Sequence, residues 1–174
     1  LHYIENDQKL ENGSLILIDA GSEWNYYSAD ITRTWPVNGK FTNKQKDIYE
    51  IVLEANTKAI EECKIGNTIN SPHIKALNIL IEGLKNLKIL NESIDEIIEK
   101  KLYFPFYMHS TSHWLGLDVH DSGKYKDRKD NFTKFEEGMI LTIEPGLYFG
   151  DMAQKVSKNY KNIGIRIEDD ILIT

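Results

Sequence analysis

Two kinds of apolar spacing divide this chain into blocks, and their order restricts the fold more than any other feature. SLILIDAG (14–21) is a short apolar run closed by glycine, which reads as a buried strand ending at Asp19 or Ala20. The aromatic and β-branched stretch WNYYSADITRTWPV (24–37) reads as its antiparallel partner, with Gly21 and Ser22 in the turn. Helical spacing then takes over. Thr42 and Gln45 form a capping box, and Ile48, Ile51, Val52, Ala55, Ala59 and Ile60 fall on one stripe, which predicts a helix over 42–64. Ser71 followed by Pro72 starts a second helix with Ile74, Leu77, Ile81 and Leu84 as its apolar face, and residues 92–101 make a shorter third. After Pro105 the β-branched runs MILTIEPGLYF (139–149) and GIRIEDDILIT (164–174) return the chain to strands. Strands, then helices, then strands favour an α+β domain with helices on a largely antiparallel sheet over the repeating units of a doubly wound fold.

Composition narrows the function. A chain of 174 residues, 41% hydrophobic and 28% charged, is enough for one compact domain and lacks the bias of a disordered one. Twenty-one basic against 27 acidic residues give a net charge of -6, without the basic stripe that tracks a phosphate backbone, so no nucleic-acid partner is expected. The single cysteine, Cys63, excludes an internal disulfide and fits the reducing cytoplasm; on an apparent helix it reads as a small half-buried residue rather than a nucleophile. No apolar run reaches membrane-spanning length, and the opening LHYIEND has no signal layout. That opening also lacks methionine, which suggests a fragment. KYKDRKDNFTK (124–134) reads as a solvated loop.

Carboxylates stand where apolar strands should have none. Asp19 closes Leu-Ile-Leu-Ile, Asp30 follows eleven residues later, Glu144 ends MILTIE, and Glu168 shares a strand face with Arg166. Each has a plainer reading. Asp19 can be a turn-former, Glu144 a solvent-facing strand end, and Arg166 with Glu168 a surface pair. Taken together, four acids in oily strands would repel one another and hold on to their protons unless cations met them. Two divalent metals would neutralise four negative charges, with one imidazole completing an oxygen-rich set. HSTSHWLGLDVHD (109–121) offers three imidazoles, His109, His113 and His120, without the HExxH spacing of helical zinc sites.

These residues carry a family resemblance. LIDAG with Asp19, ADITRTWPVNGKF with Asp30, HSTSHWLGLDVHD with His113, TIEPGLY with Glu144 and GIRIEDD with Glu168 stand in the order seen in the aminopeptidase P group. The chain resembles the catalytic domain of these metal-dependent Xaa-Pro aminopeptidases over essentially its whole length. The resemblance implies the pita-bread fold shared with prolidases and methionine aminopeptidases, incomplete at its N-terminal side, with residues 1–174 forming most of the catalytic domain. The N-terminal domain, and the opening elements before LHY, would be missing.

By position, the resemblance makes Asp19, Asp30, His113, Glu144 and Glu168 ligands of two metal ions, with Asp30 and Glu168 bridging them. Manganese is the expected metal, with cobalt or zinc as alternatives. His2, His109 and His120 match histidines that contact substrate or the tetrahedral intermediate, with His120 at the oxyanion, and Glu144 also matches a proton shuttle. Tyr148 and Arg166 match positions that line the proline pocket, His109 beside them, and Arg166 orients the acidic ligands. The implied activity is hydrolysis of the N-terminal Xaa-Pro bond of peptides by a hydroxide held between the metals, in a protein whose full-length form builds a homo-oligomer. Ser110 departs from the glycine common at its place. The alternatives are a prolidase, which cuts only dipeptides, and a pita-bread module that binds peptides without catalysis.

Overall fold

Strands open and close the chain and helices fill its middle in a computed structural model that describes residues 5–153 and 160–174. The partner strand expected over 24–37 is broken. After β1 (Leu15–Ala20), β2 (Glu23–Trp24) and β3 (Tyr27–Ser28) make a short hairpin, because Asn25 and Tyr26 both take positive φ, 50° and 70°, and reverse the chain. Only β4 (Ile31–Pro36) pairs with β1, antiparallel, with Asp19 opposite Thr32. The expected turn at Gly21 and Ser22 is instead the base of the hairpin. There the Ala29 amide donates to Ser22 O at 2.9 Å, and a Cβ on Gly21 would lie 1.5 Å from the Ala29 carbonyl oxygen.

β1 is not the buried strand its composition suggests. It is half-buried over Leu15, Ile16 and Leu17 and exposed from Ile18 onward. Among the described residues its backbone ladder is with β4 alone, so it forms an edge whose side chains are covered only in part.

The capping box starts α1 (Asn43–Ile60): Gln45 N donates to Thr42 Oγ1 at 3.3 Å and Thr42 N to Gln45 Oε1 at 2.8 Å. The helix stops before residue 64 because Glu62 and Cys63 donate three residues back, to Ala59 and Ile60, in tight turns. α2 (Ser71–Asn86) follows, with Pro72 in its first turn, and α3 (Ile94–Glu99) is capped by the Ser93 hydroxyl. Ile48, Val52, Ala55 and Ala59 of α1 and Leu77, Leu80, Ile81 and Leu84 of α2 enter one core with Ile97, Leu141, Ile143, Leu147 and Ile165. Each such Leu or Ile contributes about 1.5–3 kcal/mol through burial. Ile74, expected on the α2 stripe, lies beyond the arc centred on Ala76, Leu80 and Leu84 and is 53% exposed.

The closing segments form β5 (Ile140–Ile143), β6 (Gly146–Tyr148), β7 (Gly164–Arg166) and β8 (Asp169–Leu172). Among the described residues every pairing is antiparallel, as expected, yet the strands form no continuous sheet. β5 pairs with β8 and β6 with β7, while β4 meets this unit at the isolated bridge Thr32–Glu168 and through Thr34 Oγ1, which donates to Arg166 O at 3.0 Å. The 124–134 loop is solvent-facing and is organised by Asp127, whose carboxylate accepts from the amides of Lys129 and Asn131. No described helix is long and apolar enough to cross a membrane.

Candidate active site

Two strand breaks put the acids in place. Ile143 pairs with Asp169 and Gly146 with Arg166, which leaves Glu144–Pro145 and Ile167–Glu168 outside the ladders. Proline has no amide hydrogen to continue a ladder, so the interruption is written into Glu-Pro-Gly. Asp19 comes from β1, and Asp30 immediately precedes β4. The histidine segment runs beside β5, where Thr142 N donates to His113 O at 3.0 Å and Glu144 N to Thr111 O at 2.8 Å.

One cavity of about 520 Å³ gathers Asp19, Asp30, His109, His113, His120, Glu144, Arg166 and Glu168. Tyr148 joins them through hydrogen bonds to His109 and Arg166. His2 lies outside the described residues. Ser110 also lines the cavity, and its carbonyl accepts from His109 Nδ1 at 2.8 Å.

Tautomers follow from the partners. A carbonyl can only accept, so His113 Nδ1, 3.0 Å from Trp114 O, carries a hydrogen, and the Nε2 lone pair faces into the cavity. There it meets Asp30 Oδ2 at 3.4 Å, Glu144 Oε1 at 3.5 Å and Glu168 Oε1 at 4.0 Å. Asp30, His113 and Glu168 each offer a ligand atom within 4.8 Å of the others. By the same rule His109 donates from Nδ1 to Ser110 O and accepts the Tyr148 hydroxyl at Nε2, 2.8 Å away, while Arg166 Nη1 donates to Tyr148 Oη at 3.2 Å. His120 stands at the exposed rim with its ring edge-on to His113, centroids 4.4 Å apart.

The carboxyls are crowded and short of positive charge. Burial, then the neighbouring carboxylates, push Glu168 up to about 8, and burial pushes Glu144 up to about 7. Asp30 rises to about 6 through burial, a hydrogen bond with Asp19 and nearby negative charge. Arg166 is the sole Lys or Arg among the described residues of the lining, against four carboxylates. An imidazole lone pair aimed at three carboxyl groups, with one guanidinium for four acids, fits a site built for divalent cations: oxygen donors, one nitrogen donor, and negative charge in excess. Burial pushes His109 down to about 4, so its ring is neutral near pH 7.

Comparison with known proteins agrees with the use of a divalent metal. The pattern that defines Metallopeptidase family M24 matches residues 1–174. The chain belongs to metallopeptidase family M24. This M24 chain is 49% identical over 174 residues to the Xaa-Pro aminopeptidases of Haemophilus influenzae and Escherichia coli; all of the chain is covered, and 40% and 39% of theirs. It thus spans about 40% of the length of the curated relatives it matches. Among solved structures it superposes on Pseudomonas aeruginosa aminopeptidase PepP with a TM-score of 0.97 at 45% identity, over 100% of this chain and 39% of that one. A zinc-substituted E. coli aminopeptidase P in complex with product gives 0.93 at 49% identity, with the same coverage. The fold is therefore that of aminopeptidase P structures, as the motifs imply.

The M24 chain also uses residues that sequence reading passed over. Thr32, fully buried, donates to Glu168 Oε2 at 2.6 Å and accepts from Arg166 Nε at 3.1 Å. Its place two residues after Asp30, on the same strand face, is the signal that could have marked it. Asn56 on α1 donates to Ile143 O at 2.9 Å and Ile167 O at 3.3 Å, the carbonyls directly before Glu144 and Glu168. A buried amide inside a helix stripe was its signal. Asp170 accepts the Asp30 amide at 3.2 Å.

Proposed function

We propose that this M24 chain forms the metal centre and much of the substrate site of a Xaa-Pro aminopeptidase, which removes the first residue from peptides with proline second. The observation that carries the reading is the convergence of Asp30, Glu144 and Glu168 around the Nε2 lone pair of His113, with Asp19 in the same cavity. Support for the substrate comes from the relatives named Xaa-Pro aminopeptidase at 49% identity.

Asp19, Asp30, His113, Glu144 and Glu168 would hold two divalent ions, with manganese favoured by the hard oxygen donors. Bound there, such ions supply Lewis acidity and a water of lowered pKa. The chain's own groups do the rest. The acids that hold the ions also attract the free amino end of the peptide. His120, at the rim, offers a ring N–H to the carbonyl oxygen on which negative charge builds. The scissile amide before proline has no N–H to hydrogen-bond, so recognition falls to the proline ring and the carbonyl. Tyr148 and Arg166, linked to each other and to His109, shape the wall where that ring would lie. Glu144, buried beside the reacting groups, takes a proton from the attacking water and passes it to the leaving nitrogen.

The test is a comparison of substrates with the manganese-loaded protein. Cleavage of a Xaa-Pro-Yaa tripeptide, abolished by chelation and restored by Mn²⁺, supports the proposal. Turnover of a Xaa-Pro dipeptide alone makes it a prolidase. Stoichiometric metal with no cleavage of either makes it a binding module.

A further inference from the structure

His73, on α2, belongs to a buried polar chain that the proposed reaction does not use. Its Nδ1 lies 2.8 Å from Thr111 Oγ1, and Tyr107 Oη lies 2.5 Å from the same oxygen. Tyr107 and Thr111 are 1% and 0% exposed, so each hydroxyl proton must end on an acceptor. Among the described residues Tyr107 Oη makes no other hydrogen bond. If His73 donated from Nδ1, three protons would share two contacts, and either the Tyr107 or the Thr111 hydroxyl proton would have no acceptor. The arrangement that satisfies both hydroxyl protons runs the other way: Tyr107 O–H donates to Thr111, Thr111 O–H donates to His73 Nδ1, and His73 carries its hydrogen on Nε2.

Thr111 matters because of where its backbone goes. It lies between His109 and His113, and its carbonyl accepts the Glu144 amide at 2.8 Å. The Tyr107 ring also packs edge-on to His109, centroids 5.0 Å apart.

We propose that His73 is a positioning residue: as the acceptor for the Thr111 hydroxyl, it ties α2 to the segment that presents His109, His113 and Glu144 to the cavity. The inference depends on the metal reading of the site for one of its readouts only. Removing the acceptor strands the buried Thr111 hydroxyl proton, which is relieved by letting the segment shift.

Nuclear magnetic resonance on the metal-free protein reads the first two consequences. Ring nitrogen shifts are expected to show His73 protonated at Nε2 and bare at Nδ1. Amide exchange at Glu144 is expected to quicken about tenfold in His73→Leu and to return towards wild type in His73→Asn, whose Oδ1 stands close to the lost Nδ1. The Leu80 amide within α2, as a measure of global opening, should change little between the variants. Titration with Mn²⁺ reads the third: about tenfold weaker binding in His73→Leu and Thr111→Val, restored in His73→Asn. A proton on Nδ1, unchanged Glu144 exchange in His73→Leu, or failure of His73→Asn to restore it overturns the proposal. A wild-type protein that binds no Mn²⁺ overturns the metal reading instead, since the tautomer and the amide exchange still decide the role of His73.

Discussion

Arg166 holds Asp19 through a 2.5 Å contact between Nη2 and Oδ2 that joins β7 to β1. The same guanidinium donates from Nε to Thr32 and from Nη1 to Tyr148, so its planar fork sets an acidic residue and a cavity wall in one geometry. Its side chain is 6% exposed, which leaves little water to substitute for a lost bond.

Lysine cannot reproduce that fork. Arg166→Lys is expected to lower kcat/KM on a Xaa-Pro-Yaa peptide by roughly 10–100-fold, the range seen when outer partners of metal ligands are altered. Steady-state kinetics beside a Mn²⁺ titration will separate weaker metal binding from weaker substrate binding. Wild-type values in both would show that the fork is dispensable.

Asp30→Asn and Glu168→Gln each remove a negative charge from the cluster around His113. Elemental analysis after loading with Mn²⁺ should find two ions per wild-type chain and a deficit in both variants, with peptidase turnover lost. Two ions and full turnover retained in both variants would eliminate the site.

Protonation should oppose metal binding, and the sign is set by carboxyls held high. In the folded metal-free protein Asp30, Glu144 and Glu168 sit at about 6, 7 and 8, above the carboxylate range of an unfolded chain. The folded state therefore binds more protons than the unfolded one between about pH 4.5 and 8, and stability falls with rising pH across that window. The melting temperature of chelator-treated protein should drop between about pH 5.5 and pH 8, and Mn²⁺ should reverse the drop. Calorimetry in buffers of different ionisation enthalpy should show protons released on metal uptake near pH 6. A metal-free melting temperature that climbs with pH would contradict the account.

Asn56 is the link between α1 and both strand breaks. Asn56→Leu keeps most of the volume but removes the donor from Ile143 O and Ile167 O. A stability loss of about 1–3 kcal/mol is expected from urea denaturation. Mn²⁺ affinity should fall as well, because Glu144 and Glu168 follow those carbonyls. Equal urea midpoints and equal metal affinity would reduce Asn56 to a passive filler.

Local spacing was enough for the elements that depend on near neighbours. The capping box of Thr42 and Gln45, the α1 stripe and the β-branched closing runs are all read within a few residues of themselves, and the structure has them nearly where expected. The acids were legible for a related reason: an ionisable group in an apolar run is costly wherever the run packs, so Asp19, Asp30, Glu144 and Glu168 marked themselves. Other features answer to partners far along the chain. Whether β1 is buried depends on what lies beside it, and the hairpin at Asn25 and Tyr26 appears only once the backbone takes positive φ.

What the sequence by itself determined, then, is the order of strands and helices, the acidic and histidine residues available to a metal, and the motifs that place the chain in family M24. Tertiary structure alone decided that Thr32 bonds Glu168, that Asn56 reaches Ile143 and Ile167, and that His73 meets Thr111. Those pairs are 136, 87, 111 and 38 residues apart, so no spacing rule connects them. Their hydrogen bonds exist because packing of the shared core brings the elements together and leaves each buried polar group no partner but the one it meets there.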